Sequence, residues 1–180
     1  MNFTRIASQF FAALSIAVTF SAPALAQQGR GPSTADEHGR VVQLAQAANK
    51  DPLATMSSAE GRWFEKWAEE IPDYMFGPDN GAYWFMSTAA KGELKRVLRF
   101  HHTLSTAAFQ VQNNIFDPTK NPAQMEAKTL AGVEGLLRAY ESLLANRPEN
   151  RSPLLDQAVI VRDKGGLPAF VKALPPMPER

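Results

Sequence analysis

Cysteine is absent from the chain, and that absence removes several kinds of chemistry at once. It rules out a disulfide framework, a thiol nucleophile, covalent attachment of a c-type haem and a thiolate metal site. A secreted domain of this kind must be held by packing alone. Catalytic signatures are missing too: the sequence contains no Gly-x-Ser-x-Gly, no phosphate-cradling Gly-rich loop and no Ser-x-x-Lys. Neither His-x-x-x-His nor Glu-x-x-His spacing occurs among the 3 histidines. No stretch alternates apolar and polar residues well enough for a strand, and no internal repeat is visible.

The one long apolar run is at the start. Arg5 supplies a positive end, Ile6 to Phe20 are mostly apolar, and Ala24-Leu25-Ala26 offers small residues flanking one position. This is the three-part form of a secretory signal peptide, cleaved after Ala26. A membrane span needs ~20 apolar residues, and Gln9 and Pro23 leave too short a stretch. The expectation is a mature chain that begins at Gln27, is periplasmic or secreted, and has no stable membrane span. Of the 19 Lys+Arg only Arg5 belongs to the leader, so the mature chain carries 18 against 18 Asp+Glu. A neutral domain exerts no global pull on nucleic acid or on an anionic membrane surface.

Residues 27–33 have nothing to bury and read as a flexible leader, and 174–180 contain three prolines in seven residues, an extended tail. The domain between them, 34–173, is expected to be all-α, a single bundle of about five helices. Thr34 and Glu37 have capping-box spacing for a helix over 34–49. Ser57 and Glu60 repeat it for 58–71, with Trp63, Phe64, Trp67 and Ile71 on one face. The longest helix covers 82–116. Its positions 94, 97, 101, 104, 108, 111 and 115 step by three and four, placing Leu94, Val97, His101, Leu104, Ala108, Val111 and Ile115 on one stripe. A fourth helix opens at Asn121-Pro122 and has the seam Leu130, Val133, Leu137, Tyr140 and Leu144. Beside that seam Gly132, Gly135, Ala139 and Ser142 form a stripe of small residues. Two glycines inside a helix cost ~1 kcal/mol each relative to alanine, which predicts a neighbouring helix in close approach. The fifth runs over 153–164, and a last turn or two covers 168–173.

Three features could carry function. Eight aromatic residues crowd into 63–85, and all 3 tryptophans of the chain are among them. Trp63, Trp67, Tyr74, Phe76, Tyr83 and Trp84 suit stacking on a planar ligand or a partner protein, or they fill the end of the bundle as core. His101 falls on an apolar seam, where an imidazole needs a partner. It is either bonded to a buried acceptor or is a ligand to haem or a metal. Lys95, Arg99 and His102 share one helix face, and Glu65, Glu69, Glu70, Asp73 and Asp79 make the preceding region acidic. That pattern predicts pairing across a solvated groove or, more sharply, an anion site.

The reading that follows is a non-enzymatic secreted or periplasmic helical protein that binds a partner, most naturally another protein, through the aromatic segment and the charged groove, with no cofactor. The alternative is a bundle that binds a small apolar or planar ligand, haem or a metal through His101. A hydrolase built on carboxylates of 65–79 is the third.

Overall fold

The computed structural model describes residues 30–77, 79–88 and 92–177. The expected signal peptide and residues 27–29 of the leader lie outside these. The fold is all-α, and the described residues contain no strand. They hold eight α-helices: α1 (Ala35–Lys50), α2 (Pro52–Ser57), α3 (Ala59–Glu70), α4 (Asn80–Thr88), α5 (Gly92–Asn113), α6 (Pro122–Asn146), α7 (Pro153–Asp163) and α8 (Leu167–Lys172). None is long and apolar enough to cross a membrane.

The count exceeds the five expected because one helix is additional, one expected segment is divided and the expected last turns form a helix of their own. Asp51 accepts from the Ala54 N–H and Pro52 sits in the first turn, so a separate helix α2 forms ahead of the expected second one. Ser58, not Ser57, then caps α3 by accepting from the Gly61 N–H. The expected third helix is divided between α4 and α5. The last turns anticipated near 168–173 form α8.

At the centre, α5 packs along α6. The whole stripe from Leu94 to Ile115 is buried, His101 included. The small-residue stripe of α6 meets α5 at His102, Ser105 and Thr106, where the helices come too close for a side chain. A Cβ at Gly132 would stand 2.6 Å from the His102 ring, and one at Gly135 would stand 3.0 Å from the His101 carbonyl oxygen. One apolar cluster joins α5 and α6 to α7 and α8 through Val97, Leu98, Val133, Leu137, Leu155 and Leu167. A second joins α5 to α1 and α3 through Val41, Phe64, Trp67, Phe100 and Leu104. Thus α5 is shared by both clusters, and what it does not bury against α1 and α6 becomes the base of a groove.

The described parts of the predicted leader and tail are anchored. Ser33 donates from its backbone and hydroxyl to the Asp73 carboxylate. The Trp84 indole donates to the Pro175 carbonyl at 2.6 Å.

Candidate functional site

α3 and α4 both pack on α5, and the groove they leave, about 900 Å³, is lined by all three helices and by Phe76 and Gly77. Along its base, α5 presents Gly92, Lys95, Arg96, Arg99, His102 and Thr103, residues three and four apart that one helix face must share. α3 contributes Glu65, Ala68 and Glu69; α4 contributes Tyr83, Met86 and Ser87. The predicted acidic and basic segments therefore do border one groove. They do not neutralise each other, for Lys95, Arg96, Arg99, Glu65 and Glu69 form no ion pair with any described residue. Elsewhere on the surface arginines find carboxylates: Arg40 with Glu60, Arg147 with Glu93, Arg162 with Glu141.

One end of the groove is fixed by a buried polar cluster. Asp79 accepts from the Ala82 N–H at 2.9 Å and so caps α4. Its other oxygen lies 3.0 Å from His102 Nε2, and both side chains are buried. Lys128, only 1% exposed, reaches down from α6 and donates to the Gly77 carbonyl at 3.3 Å. Burial by itself would raise the Asp79 pKa. The hydrogen bond and attraction of His102, the Ala82 N–H and the charge of Lys128 outweigh burial and hold the carboxyl below its usual value. Burial pushes the Lys128 ammonium down, against the pull of Asp79. The cluster ties the 77–79 segment, α5 and α6 together beneath the groove.

The aromatic residues divide between core and surface. Trp67 and Tyr74 are buried, whereas Trp63, Phe76, Tyr83 and Trp84 are half-buried. Five rings form a continuous ladder: Trp63 to Trp67 at 6.0 Å, Trp67 to Phe76 at 5.7 Å, Phe76 to Tyr74 at 6.1 Å and Tyr74 to Phe116 at 5.0 Å. The Arg40 guanidinium covers Trp63 at 3.8 Å, a cation–π contact. Two of the five rings, Trp67 and Tyr74, are buried, and Phe76 is the member that lines the groove.

Comparison with known protein families, curated proteins and solved structures gives no match. The site is therefore read from its own geometry. Of the residues singled out from sequence, Phe76, Tyr83, Lys95, Arg99 and His102 meet in the groove; Trp63, Trp67, Tyr74 and Trp84 stand outside it. His101 is 2% exposed and edge-on to Phe100 at 5.0 Å. Burial lowers its pKa to about 4, partly offset by the Pro52 backbone, and Nε2 has no partner among the described residues. It lines neither this groove nor the smaller one between α1 and α6. No group of three His, Asp or Glu able to hold a metal occurs among the described residues.

Sequence reasoning missed the Asp79–His102–Lys128 cluster, although a signal was present. Lys128 stands one helical turn before Gly132 and continues the small-residue stripe 132, 135, 139, 142. A lysine on a stripe that faces a neighbour needs a buried partner.

Proposed function

We propose that this is an exported, non-enzymatic helical protein that holds a protein partner in the groove over α5. One observation carries the reading: cations of α5 and carboxylates of α3 line a single groove with no ion pair among the described residues, beside the half-buried apolar surface of Phe76, Tyr83 and Met86. Interfaces are built in this way, with aromatic and apolar anchors inside a rim of charge. Export rests on the Arg5, Ile6–Phe20 and Ala24–Ala26 pattern. Of the carboxylates a hydrolase would draw on, Asp73 binds Ser33 and Asp79 is committed to His102, which leaves Glu65 and Glu69 on one face of α3. His101 stays outside this reading because its ring borders neither groove.

The test is site-specific photocrosslinking in the exported protein. A photoreactive residue replacing Tyr83 should capture one defined protein, and the same residue replacing Ile160, which is exposed on α7, should not. Capture should fall when Lys95→Glu and Arg99→Glu are introduced together. Equal patterns from both positions, or no adduct from Tyr83, overturn the reading.

A further inference from the structure

The groove restricts what kind of partner segment it can accept. Its lining on α5 runs from Gly92 to Thr103, which at ~1.5 Å per residue is ~16 Å, the length of a three-turn helix. Its walls are helices, and the described residues contain no strand, so there is no sheet edge to which an extended segment could add. An extended segment in the groove would also leave its own N–H and C=O groups against side chains such as Ala68, Phe76 and Met86. A helix satisfies those groups internally. The charges add a second constraint. Basic side chains lie along α5 and acidic ones along α3, with apolar surface beside both, so an occupant charged with one sign on both edges is repelled on one of them.

Building on the partner-binding reading, we infer that the groove receives a three-turn amphipathic helix of the partner. Its apolar stripe meets Phe76, Tyr83 and Met86. Its acidic edge lies over Lys95 and Arg99, and its basic edge faces Glu65 and Glu69. The helix completes the layer that α3 and α4 leave open on α5. Seated there, Lys95, Arg99, Glu65 and Glu69 each gain a partner that no described residue provides.

The probes are three stapled helical peptides of about 12 residues, the span of the groove. All share one leucine and phenylalanine stripe and differ in their flanks: glutamate on one edge and lysine on the other, glutamate on both, or lysine on both. Fluorescence anisotropy in low-salt buffer should show the mixed-flank peptide binding at least about tenfold more tightly than either other. Glu65→Lys with Glu69→Lys should transfer the preference to the all-glutamate peptide. Lys95→Glu with Arg99→Glu should transfer it to the all-lysine peptide. Circular dichroism of each variant confirms that the fold is retained. Equal affinities for the three peptides, no binding by any of them, or preferences that fail to move with the reversals overturn the inference. If the Tyr83 crosslink persists in that case, the partner reading stands and only the helix assignment falls; if the crosslink is also lost, both fall.

Discussion

Toward α6, helix α5 lies so close at His102, Ser105 and Thr106 that Gly132 and Gly135 have no room for a Cβ. Toward the groove the same helix exposes Lys95, Arg96 and Arg99, which form no ion pair with a described residue. His101 and His102 sharpen the contrast, since they are neighbours in sequence and equally buried at 2% exposure. His102 faces Asp79, and the pair anchors the end of the groove. His101 has an unpartnered Nε2 and a pKa depressed to about 4. Equal burial therefore has two consequences, and the partner decides between them: a buried polar group with a counter-charge ties elements together, and one without is tolerated only while neutral.

The largest expected effect comes from taking the partner away. Asp79→Ala strands His102 and Lys128 in the interior and uncaps α4, so urea unfolding should show a loss of ~3–5 kcal/mol. Asp79→Asn keeps an acceptor for the Ala82 N–H and should lose less. Because the folded Asp79 pKa lies below its ordinary 3.8, its contribution is fully present above that value. It is lost as pH falls through the lower folded one. A loss under ~1 kcal/mol for Asp79→Ala, below the usual cost of a stranded buried charge, would show that the cluster anchors nothing.

His101 should respond in a different pH window. The unfolded imidazole takes up a proton below its ordinary 6.5, while the folded ring stays neutral down to about 4. Stability is therefore intact above pH 6.5 and falls steadily between 6.5 and 4, by ~3 kcal/mol at the lower limit. His101→Leu should flatten that slope. At pH 7 it should cost ~1–3 kcal/mol, since Nε2 gives up no hydrogen bond but the Pro52 backbone loses the one it makes with the ring. An unchanged slope between pH 6.5 and 4 would place the acid sensitivity elsewhere.

The closely packed side of α5 was largely legible from sequence, and the groove side only in part. Period alone identifies the Leu94–Ile115 stripe, because burial on one face of a long helix imposes steps of three and four on the sequence. The stripe Gly132, Gly135, Ala139, Ser142 announces close approach for the same reason. Matching Asp79 in a turn with His102 on α5 and Lys128 on α6 is a question of tertiary placement, for which spacing along the chain gives no rule. The burial of Trp67 and Tyr74 was equally undetermined, since an aromatic cluster reads alike as core or as surface. Asp51-Pro52 is a start signal for α2, but a helix of only six residues is too short for its period to show in the sequence.

The close α5–α6 approach gives the next effect in size. Gly135→Leu must displace Ser105 and the His101 backbone, so overpacking should cost ~1–3 kcal/mol. A stabilised Gly135→Leu would mean that the two helices part more easily than their contact implies.

The smallest expected effect lies on the groove side and is the one that separates a binding surface from a structural one. Lys95 and Arg99 are like charges at i, i+4 on α5, an arrangement that destabilises a helix by ~0.2–0.5 kcal/mol. Neither has a carboxylate partner among the described residues, and both are exposed. Arg99→Gln should therefore leave the unfolding midpoint unchanged or raise it by an amount within ~0.5 kcal/mol, and the gain should shrink in high salt as repulsion is screened. The measurement is paired urea titrations of wild type and Arg99→Gln at low and high ionic strength. A loss beyond ~1 kcal/mol, above the usual range for surface substitutions, would mean that Arg99 holds a contact the fold depends on. An unchanged or raised midpoint is what the proposed binding role of these cations requires, since the fold then loses nothing with Arg99.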